Sequence, residues 1–161
     1  MSLKSLRPGE VLLPFDPGAD TTVCLAFIGT IRSPWSPEDC PKNISRARET
    51  GQGARIELKK AYAAGLDGLD VGDAVIAVYW MDQARRDLIV QSPGHTDGPR
   101  GTFALRSPNR PNSLAMSTVV ITGLDKENGV IEIDAIDTYD RTPLIDLKPW
   151  LPSVDVPPNV D

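Results

Sequence analysis

Ser117 to Ala135 reads STVVITGLDKENGVIEIDA, and the reading of this stretch decides the fold. Two runs rich in β-branched residues, Ser117 to Gly123 and Val130 to Ala135, flank the polar turn Asp125 to Gly129, a spacing that predicts an antiparallel hairpin. Similar runs recur on its N-terminal side. Asp73 to Trp80, DAVIAVYW, is a near-continuous apolar run, as expected of a strand buried on both faces. Thr21 to Ser33 reads as a strand ended by the turn at Ser33-Pro34, and Arg55 to Leu58 and Thr102 to Leu105 read as further short strands. From Lys59, KKAYAAGLDGL has the alanine and leucine content of two helical turns stopped by Gly65 and Gly68, and it is the one helix the pattern supports.

Short strands, turn chemistry and a single short helix indicate a mainly β fold, a single antiparallel barrel or a sandwich. The expected organisation is an extended arm over 1–20, one β-barrel domain over 21–155 and a tail over 156–161. The arm is expected because LRPGEVLLPFDPGAD sustains neither a strand nor a helix period, and the tail because LPSVDVPPNVD is broken by prolines. Between Pro34 and Gly53, three prolines and mixed charge predict a long loop, either a functional flap or a mobile segment.

Length and composition narrow the function. The chain has 161 residues, 40% hydrophobic and 24% charged, the balance of one soluble domain. Prolines and glycines, 15 and 13 of them, favour turns over long helices. Seventeen basic residues against 22 acidic ones leave a net charge of −5, so bulk charge does not favour sequence-independent binding of nucleic acid. No apolar run approaches the ~20 residues of a membrane helix, and Met1 to Glu10 lacks the apolar region of a signal peptide, which points to a cytoplasmic protein without membrane contact. Cys24 and Cys40 read as free thiols, and with His95 as the sole imidazole they do not complete a zinc site, so no metal is expected. Neither G-x-G-x-x-G nor G-x-x-x-x-G-K-[ST] occurs, which argues against an ordinary Rossmann-type or P-loop nucleotide fold. There is also no G-x-S-x-G elbow for a serine hydrolase.

Two polar constellations remain. In Arg106-Ser-Pro-Asn-Arg-Pro-Asn112, prolines stiffen a loop that offers two arginines and two asparagines. Such a set can hold a carboxylate, a phosphate or a base edge, or its arginines can pair with neighbouring acids. In Asp137 to Asp155, four acids alternate with bases and prolines just past a strand, where burial and like charge can shift carboxylate pKa values.

Three segments carry a family resemblance. Phe27-Ile-Gly-Thr-Ile-Arg-Ser-Pro34 is similar to I-G-x-I-x-S-P, Phe103 to Asn112 to F-A-T-R-S-P-x-R-P-N, and Asp137 to Asp155 to D-x-x-D-G-T-P-V-x-D-I-K-P-Y-L-P. In this order they resemble the TsaA-like family, also called TrmO, of S-adenosylmethionine-dependent tRNA adenine-N6-methyltransferases. The resemblance implies a β-barrel that binds S-adenosylmethionine without a Rossmann fold, as a homodimer, with tRNA as the partner. The implied acceptor is N6 of the threonylcarbamoyl-modified adenosine beside the anticodon. Methylation of another acceptor, and a non-catalytic S-adenosylmethionine-binding regulatory module, are the alternatives.

Carried over by motif, cofactor contacts fall on Lys42, Asn43, Met81, Asp82, Arg106, Met116, Ala135, Ile136 and Asp137. Arg106 suits the methionine carboxylate, and Asp137 or Asp140 suits the acceptor's proton. Arg110, Asn112, Lys148 and Trp150 are the implied substrate contacts, with a structural ion pair to Asp146 or Asp137 as the other reading of Lys148. The chain departs from the family at Met81-Asp82, where Phe-His is usual, and at Ala115 and Arg141, where glycine is usual. Loss of both glycines restricts positive φ and close backbone approach.

Overall fold

The computed structural model describes residues 6–19 and 23–158. Residues 1–5 and 20 of the expected arm, Thr21 and Thr22 of the expected first strand, and 159–161 of the expected tail lie outside them. In chain order the elements are β1 (Val11–Leu12), β2 (Gly29–Arg32), α1 (Ile44–Glu49), β3 (Ala54–Leu58), β4 (Ala74–Trp80), β5 (Leu88–Gln91), β6 (Arg100–Gly101), β7 (Leu114–Asp125), β8 (Val130–Ile133), β9 (Thr142–Pro149) and α2 (Pro152–Asp155). Turns of 3-10 helix occupy Lys60–Leu66 and Thr102–Ala104.

The chain forms two compact units, Met1–Leu25 with Met81–Ala115 and Ala26–Trp80 with Met116–Asp161. The expected domain over 21–155 has residues in both units, since the segment after β4 joins β1 in a separate sheet.

The larger unit holds a closed antiparallel barrel in the order β2-β3-β8-β7-β4-β9. Closure pairs every strand on both sides and leaves no open edge. Register brings Ile31 opposite Ile56, Ile56 opposite Ile131 and Ile121 opposite Ile133. Alternate residues face inward, so Ile31, Ile56, Val75, Ala77, Val119, Ile121, Ile131, Ile133 and Leu144 form a core at most 1% exposed. Gly29 permits the β2–β3 approach, since a Cβ there would lie 2.5 Å from the Glu57 carbonyl oxygen and 3.0 Å from Leu58 Cα. The β7–β8 hairpin forms as expected. Asp125 caps its turn by accepting from the Asn128 N–H at 3.0 Å, and Gly129 supplies a φ of +70°.

Several expectations are corrected. β4 alternates between buried and half-buried residues rather than being buried on both faces, because a barrel wall has one inner face. The loop expected between Pro34 and Gly53 contains α1, started by Asn43, whose Oδ1 accepts from the Arg46 N–H at 2.9 Å. The expected helix at Lys59 is the 3-10 segment Lys60–Leu66. β9 was not expected as a strand because prolines and charges break its apolar pattern, yet it pairs with β2 and β4. The expected tail is preceded by α2, with Pro152 at its first turn, where a missing N–H costs nothing.

The smaller unit is a three-stranded sheet, β1-β5-β6, with Val11 opposite Val90 and Gln91 opposite Arg100. Part of the expected arm is thus a strand, fastened also by Ser92 Oγ donating to the Pro8 carbonyl at 2.7 Å. Thr102 to Leu105 is a 3-10 turn instead of a strand. Its Thr102, 1% exposed, donates to the Leu88 carbonyl at 2.9 Å and accepts from Gln91 Nε2 at 2.9 Å.

Candidate functional site

Past β8, the segment Ala135 to Asp140 has no regular structure and is stapled to the end of β2. Trp35 Nε1 donates to the Ile136 carbonyl at 2.7 Å, and Ser33 Oγ donates to the Thr138 carbonyl at 2.6 Å. In return, the Asp140 N–H donates to the Trp35 carbonyl and the Arg141 N–H to the Ile31 carbonyl, both at 2.9 Å. Trp35, Ile136 and Thr138 are 6%, 1% and 1% exposed, so these bonds satisfy groups that water does not reach. Asp137 sits between the two stapled carbonyls, with its backbone fixed on both sides.

The Asp137 side chain meets two buried hydroxyls from neighbouring barrel strands. Ser117 Oγ, on β7, donates to Asp137 Oδ1 at 3.1 Å and lies 2.9 Å from the Tyr79 hydroxyl on β4. Tyr79 itself stands 3.5 Å from the same carboxylate oxygen. Burial and then the Asp137 charge push the Tyr79 hydroxyl above its ordinary range, so it stays protonated. Cys40 borders the same cluster. Burial, with the charges of Asp137 and Asp39, pushes its thiol up to about 11, which keeps it a neutral thiol rather than a nucleophilic thiolate.

Asp140 has a different environment. Arg32 grips it with two bonds, Nε to Oδ1 at 2.8 Å and a terminal nitrogen to Oδ2 at 3.2 Å, and the Ser33 N–H adds a third at 3.3 Å. The Arg32 guanidinium holds this carboxyl below the usual range, which favours a permanent anion over a proton acceptor. The next residue, Arg141, has a φ of +67°, the conformation for which glycine is suited. The chain keeps the turn without the glycine.

The remaining candidates fall as follows. Ala135 and Ile136 are buried, Met116 is exposed on β7, and Lys42 is exposed beside Asn43, whose side-chain oxygen caps α1. Lys148 is exposed and pairs with Asp146 at 2.9 Å, while Trp150 is half-buried and donates its N–H to the Ala74 carbonyl. In the smaller unit, Met81 is half-buried and Asp82, Arg106 and Asn112 are exposed. Arg110 is committed to its own loop, donating Nε to the Ser107 carbonyl at 2.8 Å and a terminal nitrogen to the Leu105 carbonyl. Nearby, Arg85 is bidentate on Asp87. Tyr79 was missed by the sequence reading. Its only signal was a hydroxyl inside an otherwise apolar strand.

The site therefore defines a class: a small closed barrel, without a phosphate-cradling loop, whose buried hydroxyls converge on one carboxylate just past a strand end. The tRNA-methyltransferase O N-terminal domain matches residues 30–156, and the chain belongs to this family. It is 33% identical over 137 residues to a probable S-adenosyl-L-methionine-binding protein of Archaeoglobus fulgidus, covering 83% of this chain and 35% of that one. It is 32% identical over 145 residues to the probable S-adenosyl-L-methionine-binding protein VirR of Rhizobium radiobacter, covering 89% and 79%. The crystal structure of TrmO from Pseudomonas aeruginosa superposes with a TM-score of 0.68 at 25% identity, covering 88% of this chain and 62% of that one. The chain thus spans about a third of the archaeal protein and about three fifths of the Pseudomonas chain.

Proposed function

We propose that this protein is an S-adenosylmethionine-dependent methyltransferase acting on N6 of the threonylcarbamoyl-modified adenosine beside the tRNA anticodon. The observation that carries the reading is the family match over 30–156, which takes in the barrel and Asp137. The donor set suits the cofactor: Asp137 Oδ2 has no protein partner among the described residues, and an anion at that place complements a sulfonium or an ammonium group. S-adenosylmethionine supplies a methyl group activated by its sulfonium sulfur.

In this reading Arg106 binds the methionine carboxylate, and Lys42, Asn43, Met81, Asp82, Met116, Ala135 and Ile136 complete the cofactor contacts. An exocyclic adenine amine is a weak nucleophile, and Asp137 accepts its proton. Asp140, neutralised by Arg32, holds the loop that carries Asp137. Arg110 shapes the loop that presents Asn112, and Lys148 and Trp150 face the substrate. Residues 81–115 contain five arginines and three aspartates, a local balance that supports tRNA binding despite the acidic total. The protein acts as a cytoplasmic homodimer.

Calorimetric titration with S-adenosylmethionine and S-adenosylhomocysteine, followed by tritium transfer to bulk tRNA, tests the reading. Micromolar binding that is lost in Arg106→Ala, with label incorporated into tRNA, is the expected result. Binding without transfer to tRNA would leave another acceptor or a regulatory module, and no binding would overturn the reading.

A further inference from the structure

Asp137 has two carboxylate oxygens in unequal surroundings. Both neighbouring hydroxyls approach Oδ1, Ser117 Oγ at 3.1 Å and the Tyr79 hydroxyl at 3.5 Å, whereas Oδ2 meets no protein donor among the described residues. Counting protons orders the contacts. A carboxylate only accepts, and Ser117 is the nearer of its two hydroxyl donors, so the Ser117 proton goes to Asp137. The single phenolic proton of Tyr79 then goes to Ser117 at 2.9 Å, the shorter of its two options. The bonds form a chain from Tyr79 through Ser117 to Asp137. Tyr79 and Ser117 are 3% and 7% exposed, and strands β4 and β7 of the barrel carry them, so neither hydroxyl has water or backbone freedom to substitute for these contacts.

We infer that Tyr79 and Ser117 are positioning residues, a hydroxyl chain that fixes Asp137 through Oδ1 and reserves Oδ2 for the ligand. A carboxylate on a mobile rotamer would present either oxygen. Held at one oxygen, with its backbone stapled at Ile136 and Thr138, it presents one. The inference rests on the proposed methyltransferase reading for what Oδ2 receives, but the chain itself is testable without it.

The test uses Ser117→Ala, Tyr79→Phe, Asp137→Asn and the doubles Tyr79→Phe/Ser117→Ala and Ser117→Ala/Asp137→Asn in the full chain. Urea unfolding comes first. The unfolding constant of Ser117→Ala/Asp137→Asn is expected to depart from the product of the single effects by roughly fivefold, as directly bonded partners do. Independence of the two sites would overturn the inference, whether or not any cofactor binds. Methyl transfer and S-adenosylhomocysteine titration come second. Ser117→Ala is expected to lower kcat about tenfold or more with KM less affected, since displacement of a reacting group is costly. The Tyr79→Phe/Ser117→Ala double is expected to be no slower than Ser117→Ala alone, because Tyr79 acts through Ser117. Restoration of kcat by Ser117→Thr, which keeps the hydroxyl, would separate positioning from packing. Additive losses in the double, or wild-type kcat in Ser117→Ala, would overturn the inference. A wild type that binds no cofactor, alongside intact Ser117–Asp137 coupling, would refute the methyltransferase reading and leave the chain standing.

Discussion

Replacing Trp35 with phenylalanine removes one bond and a little volume from the staple that holds Asp137. The indole N–H donates to the Ile136 carbonyl at 2.7 Å, and both residues are nearly inaccessible, at 6% and 1% exposure. A buried carbonyl left without its donor costs about 1–3 kcal/mol. The smaller ring leaves a void that adds about 1 kcal/mol. The sum is about 2–4 kcal/mol, which in a chain of this length lowers Tm by roughly 5–15 °C. Thermal melting followed by circular dichroism, with urea unfolding at constant m-value, measures it. Ser36→Ala serves as the control, since that hydroxyl bonds only to the exposed Asp39 and its neighbours, and it should shift Tm little. The Trp35 variant should also bind S-adenosylhomocysteine more weakly, because the bond it loses holds Ile136, itself a proposed cofactor contact. A Tm within about 2 °C of wild type would refute the claim that this bond holds the segment.

Other expectations follow from single positions. Gly29→Ala places a Cβ 2.5 Å from the Glu57 carbonyl oxygen, so β2 and β3 must separate, and urea unfolding should show a loss of about 1–3 kcal/mol or more. Arg141→Gly relieves a φ of +67° and should raise stability by about 1 kcal/mol, a rise in Tm of roughly 2–4 °C; a fall would contradict the strain. Asp140→Asn should be less stable than wild type near neutral pH. Because Arg32 depresses the folded pKa of Asp140, its contribution is present above the unfolded value of 3.8 and is lost as pH falls through the folded value. The difference between the two proteins should therefore close in acid, and its size is modest because the pair is about a third exposed. Asp137→Asn should abolish methyl transfer while retaining S-adenosylhomocysteine binding, and full turnover would exclude Asp137 as the proton acceptor.

Local pattern was enough for much of the barrel. The β7–β8 hairpin follows from β-branched runs around Asp125 to Gly129, and β4 from its apolar run, since strand propensity and turn chemistry act between near neighbours. Asn43 and Pro152 are also local helix-start signals, legible afterwards at α1 and α2 although the proline-rich context concealed them. The ordered motifs sufficed for the family. β9 was hidden because Pro143, Asp146, Lys148 and Pro149 break the pattern, and it is a strand because β2 and β4 flank it with partners on both sides. Only the tertiary structure separated the two candidate carboxylates. Asp140 is drawn to Arg32, 108 residues away, and Asp137 to Ser117 and Tyr79, 20 and 58 residues away. Sequence spacing encodes which face of a strand a residue occupies. Which distant side chain it meets depends on the closure and register of the barrel, and that meeting decides whether a carboxylate is neutralised by a guanidinium or bonded at one oxygen by a buried hydroxyl.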